Sequence, residues 1–320
     1  MLGIDTSKWQ AGKVDYVKAK ASGYEFVFLR IGYSTTKDPY FESDYARAKS
    51  AGMKIGVYYY TTKTTEADAV KDANRVLGWL GSKNLDMPIA YDMEESSMKS
   101  YSRKDLNAKQ YNAFAKVVKA KCFVSMLYTG SSMFNSYFNK SLITDPIWIA
   151  SYGCNDGKNN GTPNVGMQIA IHQYTSGADK TDFYTGNLDR NVMLISYNEL
   201  MKKDTVVEST TTNSTTNTYT HKQFVKDVQS AINAKVDGIA GKETLSKTVT
   251  VSKTKNRKHA VVKAIQKYLN SLCYEAGDED SIAGDKFDKA IKAFQKANGC
   301  VVDGEVTSQG KTWKKLLKLS

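Results

Sequence analysis

The 320-residue sequence predicts an α/β chain, an irregular (βα)5β3 barrel followed by a small all-α domain. Three observations carry that reading. Up to residue 200, eight short apolar runs recur, as strands of a parallel barrel do. Amphipathic stretches separate only the first six of them. Beyond residue 220 the apolar period is helical throughout.

The eight runs are residues 2–5, 26–31, 54–60, 88–94, 122–128, 147–151, 167–173 and 188–194. Helical patterns at 14–22, 43–51, 66–80, 104–120 and about 132–138 fill the first five gaps. Two of these open with a capping-box pattern, Thr65-Glu66-Ala67-Asp68 and Ser102-Arg103-Lys104-Asp105. After the sixth run the helices stop, and 155–164 and 175–187 read as Gly/Asn/Thr-rich loops. Ser209-Thr210-Thr211-Thr212-Asn213-Ser214-Thr215-Thr216-Asn217-Thr218 has nothing to bury and reads as a linker. The expected boundaries are a barrel at 1–200, a linker at 201–220 and a helical domain at 221–320.

Within 221–320, Phe224, Val228 and Ile232 share a face, as do Val261, Ile265, Tyr268, Leu269 and Leu272, and Phe287, Ile291 and Phe294. An apolar-Lys-x-apolar-Gln pattern occurs three times, ending at Gln229, Gln266 and Gln295. Ile239-Ala240-Gly241 recurs at Ile282-Ala283-Gly284, and Val236-Asp237-Gly238 at Val302-Asp303-Gly304. A helix–turn–helix unit has been reused. Its first copy reads as abbreviated, and 248–258 as an unmatched basic insertion.

Composition excludes several classes. Hydrophobic residues make up 41% with 4 Pro, as in globular proteins, and no run is long enough to span a membrane. The N-terminus shows no secretory pattern. Cys122, Cys154, Cys273 and Cys300 lack metal spacing. Cys122 and Cys273 read as buried thiols, with a Cys273–Cys300 bridge left open. His172, His221 and His259 are far apart, so neither a metal nor a cofactor is expected. The net charge of +12 is uneven. Residues 1–200 hold 24 Lys/Arg against 20 Asp/Glu, and 201–320 hold 21 against 13. A basic half implies an anionic partner or a solvated surface.

The chemistry centres on Tyr91-Asp92-Met93-Glu94. The strand period of two puts Asp92 and Glu94 on one face, with Tyr91 and Met93 on the other. The C-terminal ends of barrel strands are where such folds place active sites. Two carboxyls there cannot both ionise cheaply, so one keeps its proton, and such a pair is equipped to cleave a glycosidic bond. A lone D-x-E is more often a solvated strand end. Here Asp5 and Asp189, on the first and eighth strands, can converge on the same mouth. Tyr33, Tyr58, Tyr60, Tyr128, Trp148, Tyr152 and Tyr174 crowd the rim, offering faces for sugar rings or simply packing.

Gly3-Ile4-Asp5-Thr6-Ser7-Lys8-Trp9-Gln10, Phe28-Leu29-Arg30-Ile31-Gly32, Gly56-Val57-Tyr58-Tyr59-Tyr60, Tyr91-Asp92-Met93-Glu94, His172-Gln173-Tyr174 and Asp189-Arg190-Asn191 resemble glycoside hydrolase family 25. These are bacterial and phage lysozymes that cut the β-1,4 bond after N-acetylmuramic acid. The resemblance implies Glu94 as general acid, Asp92 as its assistant, and Asp5 and Asp189 as further carboxylates of the cleft. Tyr33, Tyr58, Tyr60, Tyr128, Trp148, Tyr152 and Gln173 become candidate substrate contacts. The repeat at about 221–318 resembles a helical peptidoglycan-binding domain, expected to bind peptidoglycan and anionic wall polymers.

Other readings are weaker. A chitinase-like barrel would carry more acids before Asp92, where Met87-Pro88-Ile89-Ala90-Tyr91 stands. A wall lectin would not need Glu94, Asp92, Asp5 and Asp189. Nucleic-acid binding lacks a motif, and Asp278-Glu279-Asp280 interrupts the basic half. An enzyme made in the cytoplasm and released onto the wall, an endolysin or autolysin, is the expectation. Met201-Lys202-Lys203 also offers an internal start for a fragment that could associate with the full chain.

Overall fold

The computed structural model describes residues 1–10, 12–201 and 219–319. The chain forms two compact units, Met1–Val207 and Glu208–Ser320. The expected linker run 209–218 lies outside the described residues.

The strands of the first unit are β1 (Leu2–Thr6), β2 (Tyr24–Tyr33), β3 (Thr36–Lys37), β4 (Lys54–Tyr60), β5 (Ile89–Asp92), β6 (Ser125–Gly130), β7 (Ile147–Ala150), β8 (Ile169–Thr175), β9 (Ala178–Thr181), β10 (Tyr184–Asn187) and β11 (Asp189–Met193). A closed barrel of eight is built from β1, β2, β4, β5, β6, β7, β8 and β11. Every neighbouring pair from β1 through β8 is parallel. Strand β11 closes the ring antiparallel to both β8 and β1. The reversal follows from the connection. A parallel strand needs a crossover that returns the chain to the far end, and no helix lies between β8 and β11.

The segment read as a second loop is instead a hairpin, β9 paired antiparallel with β10. Its turn residue Phe183 is buried, packs against Tyr24 at 5.1 Å between ring centres, and accepts a backbone hydrogen bond from Asp15. With buried Leu188, the hairpin covers barrel wall that a helix covers elsewhere.

Helices α1 (Tyr16–Ala21), α2 (Phe41–Ser50), α3 (Glu66–Leu80), α4 (Lys104–Lys119) and α5 (Ser131–Tyr137) follow the first five gaps, and α6 (Tyr197–Leu200) follows β11. Thr65 caps α3 by accepting from the Asp68 amide, as its capping pattern requires. Ser102 does not cap α4. It sits in a 3-10 turn, its hydroxyl 2.8 Å from that of Ser100, and α4 starts one residue later than a Ser102 cap would place it. The barrel interior is filled by Phe26, Phe28, Met126, Trp148, Ile171 and Met193, with Leu200 of α6 in the same cluster. A Cβ at Gly3 or Gly56 would lie 2.2 or 2.4 Å from the rings of Phe26 or Phe28, so those rings enter only against glycine.

In the second unit, α7 (His221–Ala231), α8 (Lys242–Ser246), α9 (Ala260–Ser271), α10 (Asp285–Ala297) and α11 (Lys311–Leu316) surround one core that includes Phe224, Ile265, Phe287 and Trp313. The three repeated glutamines do one job. Each is buried and grips the turn after its helix. Gln229 donates to Asp237 Oδ1 at 2.9 Å and Ile239 O at 3.1 Å, and accepts from the Asp237 and Gly238 amides. Gln295 repeats this on Asp303, Glu305 and Gly304. Gln266 grips Asp280, Ser281 and Ile282. The middle turn escaped the sequence pattern because Ser281 (φ 68°) stands where Gly238 (φ 76°) and Gly304 (φ 77°) stand. Its Gln-to-Asp spacing is also 14 residues rather than 8. The insertion at 248–258 is tied in by bridges from Val251 to Val306 and Lys258 to Ile282, and Lys253 and Lys255 pair with Asp285 and Glu305.

The cysteine expectations need correcting. Cys122 and Cys273 are only partly buried, each at a positive φ just after a helix. Cys300 is a free thiol, so the Cys273–Cys300 bridge is not formed.

Candidate active site

Strand ends at the barrel mouth bring four carboxyls together. Asp92 is the last residue of β5, and the Met93 amide still bonds Tyr128 O on β6. The extended backbone therefore continues past the strand, and Glu94 keeps the face of Asp92. Tyr91 points outward, its hydroxyl 3.0 Å from the buried Asp72 carboxylate on α3. The same carboxylate accepts from Tyr59 and Thr61, both at 2.8 Å, and from Arg75. The Thr61 amide in turn donates to Asp92 O, so this network braces the strand from behind. Asp5, near the end of β1, lies directly opposite Asp189, the first residue of β11. The reversal of β11 decides this. Run in parallel with its neighbours, its first residue would sit at the other end of the barrel.

Asp5 and Asp92 are both 4% exposed. Asp5 Oδ2 accepts from Gln173 Nε2 and Asn191 Nδ2, each at 2.8 Å. Gln173 Oε1 accepts from the hydroxyls of Tyr128 and Tyr152, at 2.7 and 2.8 Å. Asn191 Oδ1 accepts from Trp148 Nε1 at 2.8 Å. A chain of neutral donors thus holds Asp5 in one orientation. Glu94 is less enclosed, and the Gly130 amide donates to it. An added Cβ at Gly130 would stand 3.3 Å from Glu94 Oε1. Asp92 Oδ1 is buried and has no hydrogen-bond partner among the described residues.

Burial is the largest influence on all four acids, and it favours their neutral forms. Asp5 is raised to about 6 by burial, opposed by its bonds from Asn191 and Gln173. Asp189 is raised to about 8 by burial and then by the charges of Asp5 and Glu94. Asp92 is pushed well up by burial, Glu94 and Asp5, with Arg30 opposing. Glu94 is raised by burial, against the Gly130 amide and Lys99. Such a mouth retains protons near neutral pH beside groups that have lost theirs. That is the requirement for general acid catalysis.

The aromatic candidates divide. Tyr33 is exposed and stacks on Tyr60, with 4.9 Å between centres and 17° between planes. Tyr58 and Tyr152 are partly open. Trp148 offers no face to a sugar. It is 1% exposed and enclosed by Phe28, Tyr58 and Tyr128. Tyr128 is buried too, reaching the site through its hydroxyl. Tyr174 points away from the mouth, toward His172. Beside Tyr152 a cavity of ≈ 280 Å³ opens among Ser151, Gly153, Asn160, Gly161, Thr162 and Pro163.

Three contributors had no sequence signal as site residues. They are the Gly130 amide, Glu95, which accepts from Tyr60 at 3.1 Å, and Arg30, held at 2.8 Å by Asp38. Asn191 was visible in Asp189-Arg190-Asn191, but its bridge from Trp148 to Asp5 was not.

Comparison with known proteins decides the family. The model of glycosyl hydrolases family 25 matches residues 4–183, more than half of the chain. The chain belongs to glycosyl hydrolases family 25. A second match, to the putative peptidoglycan binding domain, covers residues 258–316. The autolytic lysozyme of Clostridium acetobutylicum is 28% identical over 200 residues, 61% of this chain and 59% of that protein. This chain therefore spans less than two thirds of the length of that relative. In fold, the family 25 barrel is similar to the CTP1L endolysin, with a TM-score of 0.53 and 23% identity over 64% of this chain and 71% of that one. It is equally similar to a bacterial lysozyme from Streptomyces coelicolor, with a TM-score of 0.53 and 23% identity over 63% and 95%.

Proposed function

We propose that this family 25 enzyme is a muramidase, hydrolysing the β-1,4 bond between N-acetylmuramic acid and N-acetylglucosamine in peptidoglycan. The observation that carries the reading is the carboxyl pair at the end of β5, Asp92 buried and Glu94 just beyond the strand and partly open, at a mouth that raises the pKa of both. Glu94, the more open of the two, protonates the leaving oxygen. Asp92 stands one pleat deeper and, in its ionised form, which its own burial opposes and the nearby Arg30 favours, stabilises the positive charge that develops at the sugar ring. Its unpartnered Oδ1 is available either to accept the N–H of the substrate's 2-acetamido group or to attack the anomeric carbon. Asp5 and Asp189 complete the cleft, and Gln173 anchors Asp5. Tyr33, Tyr60, Tyr58 and Tyr152 offer surfaces for sugar rings. No cofactor enters this chemistry.

Residues 221–320 act as a wall anchor for peptidoglycan and anionic wall polymers, raising the enzyme's local concentration. Among the described residues no helix is long and apolar enough to cross a membrane. Release onto the wall, as an endolysin or autolysin, suits a chain similar to an autolytic lysozyme.

Digestion of purified peptidoglycan followed by labelling of new reducing ends is the test. New muramic acid ends are expected; glucosamine ends, or new amino groups without reducing ends, would overturn the reading. The solved CTP1L endolysin is described as regulated by a secondary translation product. We infer that Met201, just after α6, starts a similar fragment carrying the second unit. A Met201→Ala variant is then expected to lose a short C-terminal product on expression, and persistence of that product would rule the start out.

A further inference from the structure

Among the described residues, four large apolar side chains stand exposed in the second unit, and all belong to two of its three gripped turns. Val236 (53% exposed) and Ile239 (71%) mark the first turn. Val301 (77%) and Val302 (52%) mark the third. Scattered exposed aliphatics are ordinary on protein surfaces. Their confinement to two copies of one structural unit is not.

The two turns also share their surroundings. Each Gln precedes its Asp by 8 residues, which makes Val236 and Val302 equivalent positions. Three residues before each Gln stands a lysine, Lys226 or Lys292, whose methylenes lie across the turn glycine. A Cβ added at Gly238 would meet Lys226 Cε at 3.2 Å, and one at Gly304 would meet Lys292 Cε at 3.0 Å. Each turn therefore presents aliphatic side chains with a lysine beside them; the Lys292 ammonium is paired with Asp288 at 2.9 Å, so the third turn binds chiefly through its aliphatic side chains. The buried Gln holds each turn rigid, so little ordering cost falls on binding. The middle turn differs. Ile282 is half-buried beside Lys258, and Asp278 and Glu279 precede the turn in sequence.

This surface defines its ligand. Residues 234–241 and 300–307 contain no aromatic side chain to stack on a sugar. A polyphosphate would leave the valines and isoleucine unused. Methyl groups and carboxylates on one short, flexible chain satisfy both features, and the alanine-containing peptide stems of peptidoglycan have that chemistry. We propose that the second unit is bivalent, the turns at 236–239 and 301–304 each taking a peptide stem. This deepens the wall-anchor reading and rests on it. The family match at 258–316 includes the third turn but not the first.

The test uses the full chain carrying Glu94→Gln, which leaves walls intact, and peptidoglycan sacculi stripped of teichoic acids. Three variants are compared: Val236→Ser with Ile239→Ser, Val301→Ser with Val302→Ser, and all four together. These side chains are exposed and the Gln grips are untouched, so unaltered melting curves will show that the fold is kept. Each pair is expected to weaken sacculus binding about 10-fold, and all four by about 10²-fold or more, because two tethered contacts multiply. Free stem peptides are expected to compete with sacculi for the parent chain. The proposal is overturned if either pair leaves binding unchanged, or if peptide-free glycan strands compete and stem peptides do not. It is also overturned if the parent is a dimer that the fourfold variant makes monomeric at unchanged sacculus affinity. Failure of the parent itself to bind stripped sacculi would instead refute the wall-anchor reading.

Discussion

Glu94→Gln is expected to lower the rate of wall hydrolysis by about 10²–10⁴-fold, the range that a positioned general acid supplies. The substitution keeps size and shape, and its amide oxygen can still accept from the Gly130 amide. What is lost is the transferable proton. Neither the Tyr33–Tyr60 stack nor the second unit is touched, so wall binding should stay within about twofold of the parent, as for a change felt only in the transition state. Turbidity loss of a wall suspension gives the rate, and co-sedimentation with walls gives the binding. A variant retaining a tenth of the parent rate would place the acid elsewhere. A variant that fails to sediment with walls would mean that Glu94 serves binding rather than proton transfer.

The second large effect concerns stability. In the folded chain Asp189 titrates at about 8 against an ordinary 3.8, chiefly because it is buried and then because Asp5 and Glu94 are near. A folded-state pKa above the unfolded value means that the folded chain holds a proton which the unfolded chain has released. Stability is therefore highest below about pH 4 as far as this group is concerned. It falls as pH rises toward 8 and levels off above. A tenfold change in proton affinity between the folded and unfolded chains corresponds to about 1.4 kcal/mol, so the loss amounts to several kcal/mol even after allowing for the interaction with Asp5. Asp189→Asn removes the charge that must be buried. It should melt within a degree or two of the parent at pH 4 and roughly 10 °C higher at pH 8.5. Thermal melts at the two pH values decide it. An equal change in melting temperature at both would mean that the effect is not one of ionisation. The same variant should lose activity, since Asp189 faces Asp5 across the cleft and an amide there can neither release nor take up its proton.

Much of this was legible in the residues. The alternation in Tyr91-Asp92-Met93-Glu94 assigns faces because the pleat of an extended chain is local, needing no partner to define it. The helices at 66–80 and 104–119 were readable for the same reason, from a period of 3.6. Ser102 misled because a capping pattern is also compatible with a 3-10 turn, and the packing of Tyr101 on Tyr137 supports the turn. Trp148 misled in another way. A strand end at the mouth of a barrel can face the cleft or the core beneath it, and its hydrogen bond to Asn191 belongs to the core. The hairpin at 178–187 was hidden because its polar residues are those of a loop, while one buried ring, Phe183, fixes it.

By itself, then, the sequence determined the eight barrel strands and the five helices between them, the two-unit division, the shared face of Asp92 and Glu94, and the reuse of a Gln-bearing helix. All of these depend on residues within one turn or one strand of each other, or on direct repetition. Only the tertiary structure decided that β11 runs backwards and so delivers Asp189 to the face of Asp5. It also decided which aromatic rings are open and how far burial raises the four carboxyls. Those outcomes depend on the closure of the barrel, which joins residues nearly two hundred positions apart. The surroundings of a carboxyl set its affinity for a proton, and those surroundings exist only once the ring is closed.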